Sequence, residues 1–189
     1  MKTLAKLFTV ALLNQVLFAN AGAIDSSKSM VTATFKQLGV EVPAKFKAVS
    51  GQIDFDPANP ASGKAQIAIA TASFDLGDAL YNQEVQKKEW FNSAQYPQAT
   101  FVSSNIKSVS SGINNVSADK LQVQGKLTIK GKALDVNVPI AVKQEGKTQI
   151  FEGTLPIKRL YFNIGEGEWK DTDTLADDVV IKFKVVTQN

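Results

Sequence analysis

The segment Lys120–Val142, KLQVQGKLTIKGKALDVNVPIAV, decides the fold class. Leu121, Val123, Gly125, Leu127 and Ile129 alternate with Gln122, Gln124, Lys126 and Thr128. After Lys130-Gly131-Lys132 the alternation resumes, with Leu134, Val136, Val138, Ile140 and Val142 against Asp135, Asn137, Pro139 and Ala141. A period of two with one apolar face describes a half-buried strand, because successive side chains point to opposite sides of a sheet. Two such runs joined by a short Gly-bearing turn form an antiparallel hairpin.

The same pattern extends in both directions. Downstream, Phe151, Gly153, Leu155 and Ile157 share one parity, and the turn Gln144-Glu145-Gly146-Lys147 precedes them. Val179, Ile181, Phe183 and Val185 form the last apolar face. Upstream, strands are predicted at Val31–Phe35, Lys45–Phe55, Lys64–Phe74 and Thr100–Val109. Within Lys45–Phe55 the apolar parity changes between Phe46 and Ile53, which predicts a bulge or bend at Ser50-Gly51. Leu80–Asn92, LYNQEVQKKEWFN, has a patchy helical face behind a capping Asp78 and predicts a short helical segment. Eight antiparallel strands with one helical excursion make an all-β domain, as a sandwich or a closed barrel. A barrel of eight strands can enclose one ligand; periodicity leaves the choice open.

Composition removes whole classes of chemistry. The 189 residues contain no Cys and no His. Disulfide frameworks, thiol nucleophiles and the Ser-His and Cys-His mechanisms are therefore excluded. Arg159 is the only arginine, against 20 lysines. Bidentate base and phosphate readout leans on Arg, so no nucleic-acid partner is expected.

Residues 1–21, MKTLAKLFTVALLNQVLFANA, read as a cleavable signal peptide. Lys2 and Lys6 supply the positive start, Leu7–Phe18 the apolar core and Ala19-Asn20-Ala21 the small-x-small cleavage site. A second cut after Ala23 fits as well. The expected location is periplasmic, with residues 22–189 as one mature domain. Losing two lysines and no acid takes the net charge from +3 to +1, so a basic surface is not a feature of the mature chain.

The remaining motifs favour structural readings. Glu166, Glu168, Asp171, Asp173, Asp177 and Asp178 could be read as a hydrolytic carboxylate pair or a cation loop. An EF-hand counted from Asp171 fails, with Ala176 where Gly is needed and Lys182 where Glu is needed. A solvated loop accounts for the run better. Gly165-Glu166-Gly167-Glu168-Trp169-Lys170 lacks the third Gly of a phosphate loop and suits a tight bend. Ser104–Lys107 and Ser117–Lys120 fit S-x-x-K without its partner motifs, and the sequon Asn115-Val116-Ser117 reads as chance. No catalytic residue, metal ligand or cofactor is assigned, and the protein is expected not to be an enzyme.

Several segments taken in order resemble the YceI-like family. They are Ile24-Asp25 with Lys28-Ser29, Gly51–Asp56, Ala72–Gly77, and Glu89-Trp90-Phe91-Asn92 with Tyr96-Pro97 and Thr100-Phe101. Later come Gly125–Gly131 and Ile157–Gly165 with Trp169. The resemblance implies an elongated eight-stranded antiparallel lipocalin-like barrel with a short helical segment. It also implies an apolar tunnel for polyisoprenoids, isoprenoid quinones, fatty acids or their amides. Many members carry His where this sequence has Lys28, and His in the Asn82–Val85 region; a head-group contact through imidazole is absent here.

The lining residues follow from strand parity. In the first half they are Phe35, Phe46, Ile53, Phe55, Ile67 and Ile69, followed by Phe101. In the second half they are Leu127, Ile129, Val138, Phe151, Leu155, Ile181 and Phe183. Trp90 and Phe91 are expected to close the tunnel. The expected partner is an isoprenoid or acyl lipid, with an envelope or membrane redox partner and a homodimer as further associations. The alternative is an envelope interaction module with a filled core and no ligand.

Overall fold

A computed structural model describes residues 21–109 and 119–188. The expected signal peptide, apart from Ala21, and the sequon Asn115-Val116-Ser117 lie outside the described residues. Eleven strand segments form one antiparallel sheet that closes on itself. They are β1 Gly22–Ile24, β2 Met30–Gln37, β3 Val40–Phe46, β4 Val49–Asp54, β5 Lys64–Ala70 and β6 Phe74–Asp75, then β7 Gln98–Ser108, β8 Asp119–Ile129, β9 Lys132–Glu145, β10 Thr148–Lys158 and β11 Leu175–Gln188. β1 and β2 together make one stave, β3 and β4 a second, and β5 and β6 a third; the five long strands β7–β11 complete eight. Each stave pairs with its neighbour in sequence, and the last meets the first: β11 pairs with both β1 and β2. β1 also pairs with β4, which seals the seam.

The sequence reading of the second half holds closely. β8 and β9 pair from Asp119↔Val142 to Ile129↔Lys132. Their turn has Lys130 at φ 47° and Gly131 at φ 73°. Two consecutive positive φ values are the backbone of a type I′ hairpin turn, whose twist matches that of the strands.

The first half required corrections. The parity change lies at Lys47-Ala48, not at Ser50-Gly51, where β3 ends and β4 begins. Val49, Gly51 and Ile53 already share one face in unbroken register with Ile69, Ile67 and Ala65. The neighbouring stave bends at the same level through a 3-10 turn at Thr71–Ser73, so the strand expected over Lys64–Phe74 is two segments. Ser73 locks the paired bends. Its carbonyl accepts from Lys47 N at 3.1 Å, and its Oγ accepts from Ala48 N at 3.1 Å. Gly51 is needed for a different reason: its φ is 135°, and a Cβ there would lie 2.1 Å from Gln66 O.

The helical excursion is shorter than expected. α1 covers Ala79–Glu84 only, capped by Asp78 Oδ1, which accepts from Leu80 N and Tyr81 N. Turns carry the chain on to Pro97. No helix among the described residues is long and apolar enough to cross a membrane.

The barrel therefore has two unlike ends. At one end are β1, the β9–β10 turn and the C-terminal end of β11. At the other are the β2–β3 turn, α1 with its following turns, and the loop between β10 and β11. The buried side chains fall into two clusters accordingly. One is centred on Phe74, Phe91 and Phe162 beneath α1, and the other on Phe55, Leu121, Phe151 and Val185.

Candidate ligand chamber

Inside the barrel the strands leave space between their inward side chains. An inner chamber of about 120 Å³ lies toward the β1 end and is lined by aliphatic and aromatic side chains alone. An outer chamber of about 400 Å³ lies beneath α1. One water-sized or methylene-sized group takes roughly 10–30 Å³. The inner chamber then has room for roughly four to twelve such groups and the outer for roughly thirteen to forty. Inward residues such as Phe35, Phe46, Phe101, Leu155, Ile181 and Phe183 are only half-buried, although they lie on the core parity. That combination marks walls that face a void. The filled core of the alternative reading is not what the barrel has.

Every predicted lining residue borders one of these chambers. Ile53, Phe55, Ile67, Ile69 and Phe101 line the inner one, with Leu127, Val138, Phe151, Leu155 and Phe183. Phe35, Phe46, Trp90, Phe91 and Ile129 line the outer one, and Ile181 lines both. Trp90 and Phe91 are less a flap than a packed roof. Phe91 contacts Phe46 and Phe74 with ring centroids 5.9 and 5.1 Å apart, and Trp90 lies 5.3 Å from Trp169. Such tilted pairs hold rings more firmly than area burial alone.

Sequence reasoning missed three groups. Leu121, Val123 and Val185 line the inner chamber on a parity already visible in their strands. Phe74, Ile164 and Trp169 line the outer one from bends and loops that have no period to read. Gln37, Tyr81, Glu84 and Arg159 give the outer chamber its polar edge. Gln37 and Tyr81 are exposed while lining it, so the chamber opens between the β2–β3 hairpin and α1.

Arg159 is 3% exposed, and all of its donors end on backbone oxygens. Nε donates to Ala176 O at 3.0 Å; Nη1 to Ile164 O at 2.8 Å and Gly165 O at 3.0 Å; Nη2 to Trp169 O and Leu175 O, both at 2.7 Å. Burial pulls its pKa down while Asp177 opposes the shift; a guanidinium stays charged under such conditions. The side chain ties the loop between β10 and β11 to itself and to the start of β11, while Gly165 N and Glu166 N join that loop to Glu89 O, each at 2.9 Å, beside the roof. The two glycines of that loop have φ 74° at Gly165 and 66° at Gly167. A Cβ on Gly165 would lie 2.4 Å from Arg159 Nη1, so glycine lets the guanidinium approach.

The acidic run serves the same loop. Glu166 accepts from the buried Lys130 Nζ at 3.0 Å, and this bond holds its carboxyl below the usual range. Lys130 also donates to Asn163 O at 2.6 Å. Asp171 accepts from Thr174 Oγ1 at 2.7 Å, Asp177 accepts from Leu160 N at 3.0 Å, and Asp178 pairs with Lys158 at 2.7 Å. Among the described residues no group of three or more His, Cys, Asp or Glu could hold a metal ion.

A closed up-and-down barrel with an apolar interior and one polar-edged mouth belongs to the class of lipocalin-like barrels. The chain belongs to the YceI-like family: the family model described as YceI-like domain matches residues 23–187. Among solved structures, BcnA of Burkholderia cenocepacia is 53% identical, with a TM-score of 0.80 over 87% of this chain and 99% of that one. A domain from Saccharophagus degradans, described as polyisoprenoid-binding and implicated in plant cell wall breakdown, shares the fold at 16% identity. Its TM-score is 0.70 over 88% of this chain and 97% of that one. Protein YceI of Escherichia coli O157:H7 is 32% identical over 125 residues, which are 63% of this chain. The match spans 61% of that relative's length.

Proposed function

We propose that this protein is a periplasmic carrier for a long-chain amphipathic lipid, a binding protein rather than an enzyme. The observation that carries the reading is the pair of chambers along the barrel, apolar throughout except at the mouth. Transfer of hydrocarbon out of water supplies the affinity, at about 0.8 kcal/mol per buried CH₂. A chain of some tens of carbons is thereby held without an ion pair. The few polar groups at the mouth bear on the head group. The cargo class is a polyisoprenoid or isoprenoid quinone, or a fatty acid or its amide. Family membership and the polyisoprenoid-binding description of the Saccharophagus degradans domain support the isoprenoid end of that range. Export through cleavage of residues 1–21 places the barrel between two membranes, where such lipids need a carrier through water. Delivery to an envelope redox partner, by a monomer or a homodimer, fits that role.

The test is native mass spectrometry of residues 22–189 purified from the native envelope, followed by solvent extraction. A discrete mass excess released as one class of isoprenoid or acyl lipid is the expected result. An unliganded mass, with no uptake from a panel of quinones, polyprenols and fatty acids, overturns the carrier reading.

A further inference from the structure

The two chambers meet at one side chain. Ile181 is the residue that lines both. It pairs with Ala33 on β2 and Leu155 on β10. On either side of its level the linings separate: Val31, Leu127 and Leu155 face the inner chamber, whereas Ala33, Ile129 and Ile157 face the outer. The inner walls are also set back by design of the sheet. Gly153 pairs with Phe183, and a Cβ on Gly153 would lie 2.5 Å from Phe183 Cζ. A Cβ on Gly125 would lie 2.5 Å from Phe101 Cζ. Both rings thus lie against bare backbone on the wall, which leaves the inner chamber open.

We propose that Ile181 is a chain-length determinant: the ligand enters tail first, its hydrocarbon end passes Ile181 into the inner chamber, and its polar head stays in the outer one. This rests on the lipid-carrier reading above. The direction follows from the linings. A head group in the inner chamber would lose its water and find no polar side chain there. In the outer chamber it meets Gln37, Tyr81 and Glu84 at an opening to solvent. The inner chamber's volume corresponds to a tail segment on the order of one or two isoprene units at roughly 10–30 Å³ per carbon-sized group.

The probe is a homologous series of benzoquinones with short, intermediate and long prenyl tails, titrated into the delipidated protein. In the wild type, affinity rises with tail length and then levels off. In Ile181→Phe the plateau arrives on the order of one or two isoprene units earlier. Long tails bind at least roughly a hundredfold more weakly, and tails too short to reach the inner chamber are affected far less, because each methylene kept out of it is worth several-fold. Phe183→Ala, which enlarges the inner chamber without narrowing its entrance, moves the plateau the other way and keeps the test independent of how Ile181→Phe folds. Equal weakening at all lengths in Ile181→Phe, or an unmoved plateau in Phe183→Ala, overturns the length role while leaving the carrier reading intact. No binding at any length by the wild type overturns both.

Discussion

Arg159 has five donors aimed at five carbonyls and no ion pair among the described residues. Five dipoles converge on one cation, so the loop between β10 and β11 is tied at Ile164, Gly165, Trp169, Leu175 and Ala176 together. Lysine offers three donors from one point and cannot reproduce the planar fork. Arg159→Lys should therefore strand at least two buried carbonyls and cost about 2–4 kcal/mol, read as a lower midpoint in urea unfolding. Gly165→Ala tests the same contact from the other side. It adds an unfavourable φ and a clash with Nη1, and should cost about 1–3 kcal/mol. Composition singled out Arg159 as the lone arginine, but its partners were invisible. They are backbone oxygens brought together by a loop whose glycines and acids have no periodicity. The wall residues were legible because one parity count settles which side of a strand each occupies.

At the level of elements, two staves bend together and α1 is hung from the bend. Asp75 in β6 pairs with Lys47 at 2.7 Å, accepts from Asn82 Nδ2 at 2.7 Å and from Gly77 N at 3.1 Å. Asn82 in turn accepts from Leu76 N at 2.7 Å. The Lys47 bond, then those of Asn82 and Gly77, lower the Asp75 pKa from 3.8 to about 2. A folded-state value below the unfolded one means stability that is present above pH 3.8 and lost as pH falls through about 2. Asp75→Asn should flatten the acid limb of the stability profile between pH 4 and pH 2, by roughly the share this one group contributes. Unfolding midpoints measured across that window decide it, and a limb as steep as wild type would rule the linkage out. The parity change between Phe46 and Ile53 announced a bend, yet its position depended on Ser73, which lies 25 residues from Ala48. β1 was missed for a related reason. Three residues show no alternation, and they are a strand only because β4 and β11 flank them. A chain beginning at Ile24 would lack Gly22↔Ile53, Ala23↔Gln52 and Ala23↔Gln188. It should show faster amide exchange along β4 and the end of β11 than a chain beginning at Gly22, which makes a cut after Ala21 the one that preserves the seam.

At the scale of the whole molecule, the choice between a packed core and a hollow one decides how a large-to-small substitution behaves. In a packed core Phe→Ala costs about 3–5 kcal/mol, since removed atoms leave a new cavity behind. Phe162 is 0% exposed and belongs to the cluster under α1 without lining either chamber. Phe162→Ala should meet that figure. Phe35 is half-buried on the same parity as Ala33 and faces the outer chamber. Part of its surface already lacks partner atoms, so it has less dispersion energy to lose. Phe35→Ala should cost about 1–2 kcal/mol in the ligand-free protein. The gap between the two variants should narrow with occupancy. A chain lying against Phe35 restores the missing contacts, and ligand at a hundredfold excess over its Kd adds about 2.7 kcal/mol to a site that binds only the folded state. Urea titrations of both variants, with and without added lipid, separate the cases. Equal costs in the empty protein would mean that the interior closes up in solution, and a hollow barrel would then be the wrong description of its resting state.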